Sequence, residues 1–162
     1  MSVLDDAILL EERARTYYGK AQGRVGDPSA KKILELLADE EKKHAAALAA
    51  MKSGEVGRLE ASPLLPKVQG LVEGAVNEGR SSISTDASMR DVLQRAMTIE
   101  QTTERFYREH VQTADNEKLR ELFEVLAAQE AEHYLLVSLL AEYFDRPAEW
   151  VESAEFGLRS EY

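Results

Sequence analysis

Leu37-Ala38-Asp39-Glu40-Glu41-Lys42-Lys43-His44 and, 89 residues later, Leu126-Ala127-Ala128-Gln129-Glu130-Ala131-Glu132-His133 are one segment written twice. Each copy sets a Glu three residues before a His, and on an α-helix an i, i+3 pair shares one face. The same shift of 89 carries Leu10-Glu11-Glu12-Arg13-Ala14-Arg15-Thr16-Tyr17-Tyr18 onto Ile99-Glu100-Gln101-Thr102-Thr103-Glu104-Arg105-Phe106-Tyr107. Both halves therefore read Glu, six residues, Tyr, 22 residues, Glu, two residues, His. The repeat also chooses between neighbours. Glu12 pairs with Gln101 and Glu40 with Gln129, so Glu11 and Glu41 are the carboxylates that recur.

Outward from these segments the chain reads as helix. Its 9 Gly and 4 Pro cluster, and no stretch sustains β-type alternation. A first helix is expected over about 3–24, opened by a Ser2/Asp5 capping pair. Gly26-Asp27-Pro28 stops it and starts a second over about 28–52. Residues 53–85 form a long connection with a short helix expected near Leu64–Asn77. Two further helices are expected over about 86–113 and 117–144, separated by the Asp115-Asn116 turn. Two short turns and one long connection describe two antiparallel hairpins joined by a crossover, an all-α four-helix bundle. The bundle is assigned to residues 1–146 and a tail, with Trp150 and Phe156, to 147–162. The tail's aromatics are expected to cover the bundle or a partner subunit.

The helices bring the repeated residues to one height. Glu11 lies about 13 residues before the end of its helix and Glu41 about 13 residues into the next, roughly 20 Å of rise in each case. The same holds for Glu100 and Glu130. Four carboxylates and two imidazoles converge on one layer. Left alone in the interior, the carboxylates would cost several kcal/mol each or take up protons. Two divalent cations neutralise them, and an oxygen-rich donor set with one imidazole per metal suits iron, with manganese as the alternative. The expected metal-binding residues are Glu11, Glu41, His44, Glu100, Glu130 and His133. Tyr18 and Tyr107, two turns beyond Glu11 and Glu100 on the same face, are expected to hydrogen-bond those carboxylates and fix their orientation.

Composition narrows the rest. With 20 basic and 30 acidic residues the formal charge is −10, which argues against a nucleic-acid partner. No run of 18 apolar residues offers a membrane span, and the acidic N-terminal residues do not read as a secretory signal, so the location is read as cytoplasmic. The absence of Cys removes disulfides, thiol nucleophiles, Cys-zinc sites and iron–sulfur centres from this chain. His110, whose repeat partner is Ala21, reads as a cation at a helix C-terminus, and Glu104 as a structural charge.

The Glu and Glu-x-x-His pattern, with Tyr17-Tyr18 ahead of Leu37–His44, resembles the ferritin-like di-iron carboxylate superfamily over nearly the whole chain. It is most similar there to rubrerythrin-like proteins that lack the rubredoxin module. The resemblance implies a ferritin-like bundle with a two-iron site that reduces hydrogen peroxide or dioxygen as Fe(II) is oxidised. Without Cys for a built-in Cys₄ donor, a separate electron-donor protein is implied as partner. A homodimer or higher homo-oligomer is expected. The resemblance also implies a further Glu one turn before the Glu100 position, where this chain has Met97. The alternative function is iron binding and storage, in which the same site oxidises Fe(II) and passes it on.

Overall fold

A computed structural model describes residues 1–77 and 87–145. Five α-helices account for most of them: α1 (Val3–Ala21), α2 (Pro28–Lys52), α3 (Leu64–Asn77), α4 (Ala87–Val111) and α5 (Glu117–Asp145). No strand occurs among the described residues. The expected tail 147–162, with Trp150 and Phe156, lies outside the described residues, as does the expected start of α4 at residue 86.

Local chemistry sets the helix ends. Ser2 Oγ accepts from the Asp5 amide at 3.2 Å while the Asp5 carboxylate accepts from the Ser2 amide at 2.9 Å, a closed capping box. The expected last turn of the first helix, Gln22–Arg24, tightens into a 3₁₀ turn, as fraying helix ends commonly do. Asp27 Oδ2 accepts from the Ala30 amide at 2.8 Å, and Pro28 occupies the first turn of α2, where its missing N–H removes no helical bond. α2 ends where Gly54 takes a φ of +82°, which lets the Glu55 amide reach back to the Ala50 carbonyl at 2.9 Å. α4 gives way to a turn at Gln112-Thr113, two residues sooner than expected. Asn116 Oδ1 then accepts from the Leu119 amide at 2.9 Å and opens α5.

α1 packs chiefly on α2, and α4 chiefly on α5. The two hairpins face each other through α1 against α4 and α2 against α5. After α2 the chain passes close over that helix: a Cβ on Gly57 would stand 2.2 Å from the Ala47 carbonyl oxygen, so only Gly fits. α3 then returns, burying Leu64, Val68 and Val72 at helical spacing.

The core is split in two. One apolar cluster holds Ala14, Tyr18, Ile33, Leu34, Leu37, Leu93, Leu136 and Leu140, with the buried face of α3 packed on it. The other holds Ala7, Leu48, Tyr107, Leu119, Leu122, Phe123 and Leu126. Each buried Leu, Ile or Phe contributes about 1.5–3 kcal/mol relative to exposure. Between the two clusters in sequence along every one of α1, α2, α4 and α5 lies a buried polar residue set: Glu11, Glu41/His44, Glu100 and Glu130/His133. The apolar clusters on either side are what make it affordable to keep such a layer inside.

Candidate metal centre

All six residues expected from the repeat meet in that layer, and all are buried. His44 Nδ1 stands 3.5 Å from Glu11 Oε2, 3.3 Å from Glu41 Oε2 and 2.8 Å from Glu130 Oε1. His133 Nδ1 stands 3.2 Å from Glu41 Oε1, 3.4 Å from Glu100 Oε2 and 3.9 Å from Glu130 Oε2. Glu41 and Glu130 thus turn one oxygen to each imidazole, whereas Glu11 faces only His44 and Glu100 only His133. Two four-residue donor sets result, Glu11, Glu41, His44 and Glu130 in one, Glu100, Glu41, His133 and Glu130 in the other, and a third, smaller group joins Glu40 to His44 and His133. Within each set the donor atoms lie within 4.8 Å of one another.

Tyr18 and Tyr107 complete a crossed pattern. The Tyr18 hydroxyl, on α1, donates to Glu100 Oε1 on α4. The Tyr107 hydroxyl, on α4, donates to Glu11 Oε1 on α1. Each tyrosine therefore engages the outer oxygen of the carboxylate in the other half of the repeat and leaves Oε2 turned inward. Burial, then the neighbouring carboxylates, push both phenols well above their ordinary range, so both keep their proton to donate.

Most of the inward atoms have no hydrogen-bond partner. Glu11 Oε2, both oxygens of Glu41, Glu100 Oε2, Glu130 Oε1 and the Nδ1 atoms of His44 and His133 are buried and unpartnered among the described residues. Orphaned buried polar atoms are rare, and each costs about 1–3 kcal/mol or more when charged. Seven such atoms converging on two points form a set of oxygens and imidazole nitrogens suited to a pair of divalent ions. The electrostatics agree. Burial, and then repulsion from Glu41, push the Glu11 carboxyl up to about 8. Burial with repulsion from Glu41 and Glu11 raises Glu130 well above the carboxylate range. Burial lowers both imidazoles, but the facing carboxylates outweigh it and raise His44 and His133 well above theirs. Without cations, protons must hold the layer together.

Two residues of the site were passed over by the repeat argument because their identities differ: Glu40 and Gln129. Gln129 Oε1 accepts from His44 Nε2 at 2.8 Å, and its Nε2 donates to the Glu60 carbonyl at 2.9 Å. Glu40 Oε2 lies 3.9 Å from His133 Nε2, and Lys43 Nζ donates to Glu40 Oε1 at 2.8 Å. Both residues line a groove of about 770 Å³ beneath the 56–63 segment. The sequence did carry a signal. Each lies one turn before its own helix's His, on the buried face, and the Glu/Gln difference preserves size and hydrogen-bonding capacity.

The remaining candidates lie elsewhere. His110 Nδ1 contacts the Phe106 carbonyl at 2.7 Å in the last turn of α4, away from the layer. Glu104 pairs with Arg108 at 2.8 Å across one helical turn. Met97, at the position where the resemblance implies a further Glu, packs on the first apolar cluster. No helix among the described residues is long and apolar enough to cross a membrane.

A sequence model of the rubrerythrin family matches residues 2–141, with a second, overlapping match over 91–155. No curated protein and no solved structure matches the chain significantly.

Proposed function

The chain belongs to the rubrerythrin family, and on that footing we propose that the buried layer holds two iron ions and that the loaded protein reduces hydrogen peroxide or dioxygen with electrons from a separate donor. The observation that carries the reading is the convergence of unpartnered oxygens and Nδ1 atoms into two four-residue sets that share Glu41 and Glu130. Glu11 and His44 would complete one position, Glu100 and His133 the other. When bound, two ferrous ions supply the two electrons that, with two protons, take hydrogen peroxide to two waters.

The chain's own residues serve that chemistry in distinct ways. Glu41 and Glu130, with one oxygen turned to each side, hold the two positions at a common spacing. Tyr18 and Tyr107 keep Glu100 and Glu11 from rotating away. Four protein donors for each ion leave coordination positions for an exogenous ligand. Apolar clusters on both sides of the layer exclude bulk water and strengthen every charge interaction within it. The chain has no Cys to supply a Cys₄ iron donor, so re-reduction falls to another molecule.

Stopped-flow absorbance tests the reading. Protein reconstituted anaerobically with two Fe(II) per chain is mixed with hydrogen peroxide and, separately, with dioxygen. Oxidation of both irons in a single turnover, with further turnover only after an electron donor is added, is the expected result. No oxidation of the iron by hydrogen peroxide or by dioxygen rejects the oxidoreductase reading. Sustained turnover without a donor rejects the donor requirement.

A further inference from the structure

The crossed pattern extends behind the imidazoles. His44, on α2, has Gln129 of α5 at its outer nitrogen, and His133, on α5, has Glu40 of α2 at its outer nitrogen. The two rings are stacked, 5.4 Å apart and 8° from parallel, and their contacts turn both Nδ1 atoms to the cluster and both Nε2 atoms away from it. Glu40 and Gln129 are partners in the internal repeat, 89 residues apart. At every other place in the layer the repeat preserves residue type: Glu with Glu, His with His, Tyr with Tyr. Here it does not.

The two outer partners differ in how they are held. The amide orientation of Gln129 is set by the Glu60 carbonyl, which can only accept, so the Gln129 nitrogen must face it and its oxygen must face His44. His44 therefore donates from Nε2 to Gln129, which leaves Nδ1 as the nitrogen that would ligate an ion in the cluster. His133 Nε2 is buried and has no hydrogen-bond partner among the described residues. The Glu40 carboxylate stands 3.9 Å from it, an ion-pair rather than a hydrogen-bond distance. A carboxylate behind a ligating imidazole makes it a stronger donor than an amide does, because the negative charge favours electron density on the metal-facing nitrogen.

Resting on the two-ion reading of the site, we propose that Gln129 and Glu40 are crossed positioning residues for the two imidazoles, and that the amide/carboxylate difference makes the two metal positions unequal, the His133 position binding more tightly. The protein's near-symmetric halves thus build an asymmetric centre by one substitution outside the ligand set.

Co(II) serves as the probe, since its visible spectrum reports each position without any turnover. Titration of the metal-free full-length protein is expected to give two binding steps separated by about tenfold or more. In Glu40→Gln, which makes the two outer partners alike, the tighter step should weaken by about 10-fold, within the range seen when outer partners of metal-bound His are lost. The weaker step should stay within about twofold, so the steps merge. Gln129→Glu is the independent variant and should tighten the weaker step. Equal steps in the wild-type protein, or a Glu40→Gln titration unchanged within twofold, overturns the inference while two bound ions leave the two-ion reading standing. A wild-type stoichiometry below two overturns both. Equal weakening of both steps in Glu40→Gln also overturns it, because it marks general loosening of the layer.

Discussion

Tyr107→Phe removes one hydroxyl from a fully buried ring and little else. The ring keeps its place in the second apolar cluster, against Phe123 at 5.6 Å. What disappears is the donor to Glu11 Oε1, which leaves that carboxylate with no hydrogen bond at its outer oxygen. A hydrogen bond to a charged group contributes about 1.5–3 kcal/mol. For a chain of this size 1 kcal/mol moves the melting temperature by about 2–4 °C. A loss of about 2 kcal/mol thus lowers the melting temperature of the metal-loaded protein by about 4–8 °C. The metal effect is specific to one position. Glu11 belongs only to the set that includes His44, so that position should weaken roughly 10–100-fold while the other holds. Tyr18→Phe should reproduce this at the His133 position, through Glu100. The double variant should depart from additivity, because the two sets share Glu41 and Glu130. Thermal melts of loaded and metal-free protein, beside metal titrations, measure both effects. Single variants within about 0.5 kcal/mol of wild type and with unchanged metal affinity would refute the role given to the two hydroxyls.

Glu41→Gln puts a donor NH₂ where one of two inward oxygens stands and should reduce bound metal at both positions, whereas Glu11→Gln should spare the His133 position; elemental analysis after gel filtration separates the two outcomes. Stripping metal with a chelator should lower the melting temperature, since an ion at 100 times its Kd stabilises the fold by about 2.7 kcal/mol; equal melts at pH 7 would contradict a charged layer held by cations. Leu34→Ala, in the apolar cluster next to α3, should cost about 2–5 kcal/mol by denaturant unfolding and leave metal stoichiometry at two.

The fold was legible because punctuation and period agree. Asp27-Pro28 and Asn116 cap helices where their chemistry predicts, and α2 and α3 span the residues expected from the pattern. The boundaries that shifted are helix ends, where a 3₁₀ turn at Gln22–Arg24 and a turn at Gln112-Thr113 compete with α-helix for a small difference in energy. The six inward residues and both tyrosines were legible because the repeat supplied, inside one chain, two readings of the same spacing. Glu40 and Gln129 were not, for a physical reason. A search for identity discards positions where function tolerates or uses a change of charge at constant shape. Nor does spacing say which half a side chain serves. Glu40 lies one turn from His44 on its own helix, yet the nitrogen at ion-pair distance from it belongs to His133.

That crossing has a consequence for how the two hairpins come together. Four outer contacts of the layer run between halves: Tyr18 to Glu100, Tyr107 to Glu11, Gln129 to His44, Glu40 to His133. Neither hairpin alone supplies these partners. Apolar helix faces alone specify register weakly, because a slide of one turn, 5.4 Å, exchanges one Leu or Ala contact for another. The same slide would set Glu11 and Glu41 of one hairpin against apolar side chains of the other and orphan both tyrosine hydroxyls, at about 1–3 kcal/mol for each unsatisfied group and more for each charge. The costly layer in the middle of the bundle therefore fixes the one register in which two donor sets form, and the alignment that folds the protein is the alignment that builds its site.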